Sequence, residues 1–207
     1  MNPYISLAKE VVEKYIRDGE IISPPENLPE EFLKKLGTFV TIKKGEQLRG
    51  CIGTYLATKE NIAEEIISNA IAAAIEDYRF GPIKEEELPY LSYTVYILSE
   101  PELVLEKNVS DPPKFFFEKL RRAGLDPKKY GIIIKTRPIF SSKNLSGQAE
   151  NDVVFNGHTV PKSGLLLPDL DGVDTVEQQI SIACQKGGIN PEIENIIIYK
   201  FTVEKHE

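Results

Sequence analysis

Apolar residues recur with a helical period over residues 7–17, at Leu7, Ala8, Val11, Val12, Tyr15 and Ile16. Gly19 and the pair Pro24-Pro25 end that run. A short helix is expected over 30–36, stopped by Gly37. Residues 38–43 alternate β-branched and aromatic side chains, Lys44-Gly45-Glu46 reads as a turn, and 48–55 returns as the second strand of a hairpin. The clearest helix spans 61–76. It carries Ile62, Ile66, Ile67, Ala70, Ile71, Ala74 and Ile75 on its buried side, with Asn61 and Glu64 at capping-box spacing. A polar-aromatic loop, 77–82, follows, and Glu85-Glu86-Glu87 reads as a solvated helical turn.

The second half repeats the alternation of strands and helices. Strands are expected at 91–98, 130–135, 164–168 and 196–203, and helices at 114–123 and 175–186. The last helix has a Thr175–Gln178 capping box and ends at Gly187-Gly188. Residues 136–163 are polar and turn-rich. Within them, 153–155 and 158–160 flank Asn156-Gly157, the favoured type I′ pair, and form a small hairpin.

A shift of 114 residues aligns Gly50 with Gly164, Ile52 with Leu166, Leu56 with Leu170, Ile62 with Val176 and Ile66 with Ile180. Both segments read as strand, loop and capped helix, so a duplicated β/α unit is expected. It would set two helix N-termini, each with partial positive charge, beside two strand ends.

The composition narrows the possibilities. A chain of 207 residues with 41% hydrophobic and 28% charged positions suits one large globular domain or two small lobes. A net charge of −7 argues against nucleic acid as a partner. No stretch has the apolar length of a membrane span, and the amphipathic start is not a signal peptide, so the expected location is cytoplasmic. Two cysteines, Cys51 and Cys184, cannot form a disulfide framework, and no Cys/His cluster offers a zinc site. Phosphate-binding glycine loops are absent as well, so no cofactor is expected. Abundant Lys, Glu and Ile lean towards a thermophilic source.

The segment Leu48-Arg49-Gly50-Cys51-Ile52-Gly53 concentrates the chemistry. Two glycines in one strand mark a bulge or a close approach by another backbone or a ligand. Cys51 has two readings. It is a nucleophile if Arg49, Arg79 or a helix N-terminus favours the thiolate, or it is a small buried hydrophobe. Arg49 has two as well: it awaits an anionic ligand, or it forms a structural salt bridge for which Asp77 is the expected partner. Thr54, the Asp77–Arg79 loop and the strand end at Pro168-Asp169 complete a candidate cleft, with Gln178 as a ligand-bonding side chain. Asp169, Asp171, Asp174 and Glu177 lack the spacing of a calcium loop, and Asp174 is expected to favour the positive end of its helix. His158 lies in the expected small hairpin and His206 in the C-terminal tail.

The run LRGCIGTY, the helix NIAEEIISNAIAAA, the spacing Asp77-x-Arg79-Phe80-x-Pro82 and the late segment GLLLPDLDGVDTVEQQ together resemble the AMMECR-one domain family. More narrowly, they resemble system protein A of the AmmeMemoRadiSam type, over residues 3–203. The resemblance implies an α+β fold of two lobes with an internal repeat, one domain over 1–207 whose lobes are not independent. It also implies association with Memo-like and radical SAM proteins, and it carries no established reaction. Three departures stand out: Tyr78 replaces the usual Pro, Tyr96 replaces a usual Asp, and the 136–163 stretch is longer than the usual connection. Two functions follow as expectations. One is an accessory module that binds a partner protein or a small anion. The other is an enzyme with Cys51 as nucleophile and Arg49 holding an anionic substrate.

Overall fold

A computed structural model describes residues 2–25, 27–137, 154–155, 158–159 and 161–207. The chain forms two compact units, one of residues 1–100 with 203–207 and the other of residues 101–202.

The first unit begins with helix α1 (Pro3–Asp18), whose N-terminal Tyr4 N–H donates to the Asn2 side chain and whose end is Gly19 at φ 67°. Strands β1 (Thr38–Lys44) and β2 (Gln47–Gly53) form the expected hairpin. Helix α2 (Ile62–Ile75) follows, with the Glu64 N–H donating to Asn61, and then β3 (Leu91–Leu98). The sheet order is β10-β3-β1-β2, all antiparallel, where β10 (Val203–His206) comes from the end of the chain. Val11 and Val12 of α1, Ile62, Ile66 and Ala70 of α2, and Val40, Ile42 and Val95 of the sheet are fully buried together. Burial of this kind stabilises by roughly 1.5–3 kcal/mol per large side chain.

The second unit has β4 (Glu102–Lys107), α3 (Pro113–Arg122), β5 (Gly131–Thr136), β8 (Ser163–Leu166), α4 (Val176–Gly187) and β9 (Ile196–Phe201). Between β5 and β8, the short strands β6 (Val154–Phe155) and β7 (His158–Thr159) pair antiparallel as a separate two-stranded sheet. Residues 138–153, 156, 157 and 160 of the expected 136–163 insertion, with its Asn156-Gly157 turn, and the His158 side chain lie outside the described residues. The sheet order is β4-β9-β5-β8, and Phe116, Ile132, Ile134, Leu166, Ile180, Ala183 and Ile198 form its core.

The two sheets are the same sheet twice. β1, β2, α2 and β3 correspond to β5, β8, α4 and β9, and Ile42 lies opposite Gly50 as Ile134 lies opposite Gly164. The fourth strands cross over. β4 follows β3 in the chain yet pairs with β9, while β10 follows β9 yet pairs with β3. The duplication expected from the 114-residue shift is therefore present, and the longer 136–163 stretch occupies the place of the tight β1–β2 turn.

The paired glycines have a common cause. A Cβ added at Gly50 would overlap the Ala73 carbonyl of α2, and one added at Gly164 would overlap the Ala183 carbonyl of α4. Strand and helix backbones touch there, which only glycine permits. Leu48 lies beside the register shift between Ile42 and Lys43 and is exposed.

Several boundaries differ from the pattern-based reading. α1 starts at Pro3 because Asn2 caps it and proline is tolerated in the first turn. The segment 30–36 forms only a 3-10 turn, Glu30–Leu33. β4, with its exposed Glu102, Leu103 and Glu106, gave no alternating signal. The expected last strand divides at Thr202 into β9 and β10, so His206 is part of a strand rather than of a tail. Among the described residues no helix is long and apolar enough to cross a membrane.

Gly50→Ala is expected to lower the unfolding free energy by roughly 3 kcal/mol or more through backbone displacement. Gly45→Ala, in open space at φ 59°, should cost only about 1 kcal/mol. Urea unfolding of the two variants measures the difference.

Candidate functional site

β2 is the edge strand of the first sheet, and its outer edge is where the motif side chains act. Cys51 lies opposite Thr41 in a pair whose N–H and C=O groups point away from β1, so the Cys51 N–H faces outward. It donates to Asp77 Oδ2 at 2.9 Å. The same carboxylate accepts from Arg79 Nε at 2.9 Å, Arg79 Nη2 at 2.7 Å and the Arg79 N–H at 3.2 Å. Its side chain is only 3% exposed. The Arg79 guanidinium holds the Asp77 carboxyl down at about 2, and the N–H donors of Cys51 and Arg79 add to this against the cost of burial.

Arg49 does not pair with Asp77, the partner expected for it. It reaches past that loop to Glu87, with Nε to Oε1 at 3.1 Å and Nη2 to Oε2 at 3.0 Å, and both side chains are 16% exposed. Two further donors go to backbone carbonyls, Nη1 to Gly81 at 2.8 Å and Nη2 to Pro82 at 3.1 Å. Glu87 also accepts from Lys44 Nζ and from the Lys84 N–H. Arg49, first among these donors, draws the Glu87 carboxyl down to about 2. The turn expected to be solvated is a 3-10 helix, Glu85–Tyr90, in which Glu87 points inward. Arg49 is thus a bidentate clamp whose four hydrogen bonds fasten the 81–87 segment along the strand edge.

The Cys51 thiol is half-buried and accepts from Thr41 Oγ1 at 3.1 Å. Thr41 sits opposite Thr94 of β3, whose neighbour two residues on is Tyr96. Tyr96 is half-buried, and burial pushes its phenol up while Lys205 draws it down. This face therefore carries a neutral phenol at Tyr96. Arg79 is half-exposed and stacks its guanidinium 5.4 Å from the Phe80 ring centre. Among the described residues nothing accepts from its Nη1. Tyr78, between Asp77 and Arg79, is 95% exposed.

Thr54 is placed by α2. Its hydroxyl donates to Glu65 Oε1 at 2.5 Å, and the Thr58 and Lys59 N–H groups both donate to Oε2 at 2.8 Å. Glu65 is fully buried and pins the loop after β2 to the start of the helix. Asp169 and Gln178 belong to the second unit. Asp169, at φ 54°, lies with Asp174 around Lys128 Nζ, at 3.9 and 3.2 Å. Gln178 Oε1 accepts from the N–H groups of Thr175 and Asp174, completing the capping box. Among the described residues no group of acids and histidines could hold a metal ion. Cys184 is buried in the second core, and burial pushes its thiol up to about 11.

The AMMECR1 family profile matches residues 5–206. The chain belongs to the AMMECR1 family. A Thermotoga maritima protein is 43% identical over the whole of this chain and 98% of its own length. A Clostridium acetobutylicum protein is 38% identical over the whole chain, which spans only 36% of that relative. The crystal structure of an uncharacterized Pyrococcus horikoshii protein has a TM-score of 0.73 at 30% identity, covering 98% of this chain and 88% of the other. These relatives carry no named activity, and their thermophilic members accord with the Lys-, Glu- and Ile-rich composition of this AMMECR1 chain.

Glu87, Glu65 and Thr41 are the members of the AMMECR1 site that pattern reading passes over. Glu65 was detectable in principle, because it falls on the Ile62–Ile66 stripe, where a carboxylate needs partners. Glu87 sits among three consecutive glutamates, and nothing in the spacing distinguishes it.

Because the Arg79 guanidinium holds Asp77 at about 2 in the fold against an ordinary 3.8, its contribution is full above about pH 5 and is lost as pH falls through 2. The unfolding free energy of the AMMECR1 chain is expected to drop between about pH 5 and pH 2, and Asp77→Asn should remove about 2 kcal/mol of that pH dependence. Denaturant unfolding across that range gives the comparison.

Proposed function

We propose that this AMMECR1 chain is a binding module that acts with Memo-like and radical SAM partners through the rigid 77–82 loop beside the LRGCIGT strand. The observation that carries the reading is the exposure of Tyr78 and Arg79 on a segment fastened by the Asp77 and Arg49 hydrogen bonds. Aromatic and arginine side chains supply most binding hot spots, and a pre-ordered loop loses little entropy on association. The Nη1 edge of Arg79 is also where a small anion would be held. The Clostridium relative, of which this chain spans 36%, has the homologous region joined to further sequence, as suits a module. The charged groups that catalysis would use, Arg49 and Asp77, are already filled by internal partners.

A second reading, an enzyme with Cys51 as nucleophile, draws support from the half-buried thiol, its Thr41 hydrogen bond and the nearby Arg79 charge. The two readings separate on alkylation of Cys51 in a Cys184→Ala background. The module predicts a rate no faster than that of a free thiol at neutral pH, whereas the nucleophile predicts a faster one.

For the module, calorimetric titration with the Memo-like and radical SAM proteins of the same genome should show micromolar or tighter binding, weakened about tenfold by Tyr78→Ala. No binding to either protein would remove the reading.

A further inference from the structure

β10 is held to the first unit by more than its ladder with β3. The Asn2 side chain caps α1, its Oδ1 accepting from the Tyr4 N–H at 3.0 Å, and its Nδ2 donates to His206 Nδ1 on β10 at 3.0 Å. The His206 side chain is 11% exposed, and the Tyr4 ring, itself stacked on Phe32, packs against it with ring centres 4.5 Å apart.

The cap fixes where the imidazole proton sits. The Tyr4 N–H needs an acceptor, so Asn2 turns its oxygen to the helix and has only its NH2 group to offer His206. Nδ1 is then the bare nitrogen, and the neutral ring carries its proton on Nε2, 3.2 Å from Glu204 Oε1. Proton binding sets the two tasks of Asn2 against each other. With both ring nitrogens protonated, Nδ1–H meets the Asn2 NH2 group, donor against donor. Turning the amide over restores that hydrogen bond and takes the acceptor away from the Tyr4 N–H. In either arrangement a donor largely shut off from water loses its partner.

The opposing pull comes from Glu204, whose carboxylate favours the imidazolium. Its side chain is 70% exposed, so solvent damps that pull, whereas the Asn2 contact is enclosed. The other groups around the ring are Tyr4 of α1 and, on β3, Val95 with Tyr93 beyond it. Burial, then Glu31 and Glu204, push the Tyr4 phenol up, and burial does the same for Tyr93, so both stay neutral. Lys205 alternates to the other face and pairs with Glu207.

We propose that His206 is a proton-operated latch: neutral, it ties β10 to the cap of α1, and protonated, it lets β10 loosen from the sheet. Lys205 lies opposite Tyr96, so loosening also changes the surroundings of the phenol on the face that carries Cys51. The latch is independent of the partner reading, which concerns the 77–82 loop.

Amide hydrogen exchange of the full chain at about pH 7.5 and about pH 5.5, corrected for the intrinsic pH dependence of exchange, reads β10 directly. Protection of β10 relative to β1 is expected to fall about tenfold on acidification. His206→Gln, whose amide oxygen accepts from Asn2 at either pH, should keep the protection and lose its pH dependence. Asn2→Asp, whose second oxygen accepts from a protonated Nδ1, should reverse the sign. If His206→Gln frays β10 at both pH values, the sign in Asn2→Asp decides. Protection that holds or rises on acidification in the unaltered chain overturns the latch, as does a fall that persists in both variants.

Discussion

Direct contact between a strand glycine and a helix carbonyl sets the architecture of each unit. At Gly50 and Ala73, as at Gly164 and Ala183, the two backbones lie closer than any side chain allows. The edge strand is thereby seated low on its helix, and the capped helix start comes alongside the loop that leaves the strand. In the first unit that seating lets Glu65 gather the donors of Thr54, Thr58 and Lys59. It also brings the segment after α2 back along the outer edge of β2. The fold therefore needs the glycines of LRGCIG before any chemistry does.

The motif's charges serve this same packing. Arg49 and Asp77 are the residues that chemical intuition selects, yet both are spent on fixing the 77–87 segment to the strand edge. Such an arrangement costs desolvation and returns it through charge-assisted, bidentate hydrogen bonds. What it leaves for an outside molecule is a different set: the Cys51 thiol, one edge of Arg79 and the ring of Tyr78. The second unit keeps the glycine contact and the capping box but replaces Arg49, Cys51 and Asp77 by Ser163, Leu165 and Pro191. The duplication has preserved the scaffold and confined the polar site to one copy.

Much of this was legible in the residues. Periodicity located α2, α4 and the β1–β2 hairpin, because long apolar stripes and turn residues are local signals. The repeat showed through glycines and apolar positions that both copies need for the same contact. β4 and β10 were not legible in that way. Each is short, polar and completed by a partner far along the chain, and pairing of that kind leaves no local period. The pairing of Arg49 with Glu87 was hidden for the same reason, since three glutamates in succession read as a solvated face. The motif pointed to the right strand and the right loop, while the roles within them depended on which carboxylate the fold turned inward.

The crossing of the fourth strands has a consequence for synthesis. β10 follows β9 in the chain, and β3, which it completes, is made some hundred residues earlier. β4 is made well before β9, so the second unit has all of its strands once Phe201 has emerged. Of the two units, the one translated first is therefore the one whose sheet is finished later. Until β10 emerges after β9, the β3 edge stands open on the nascent chain.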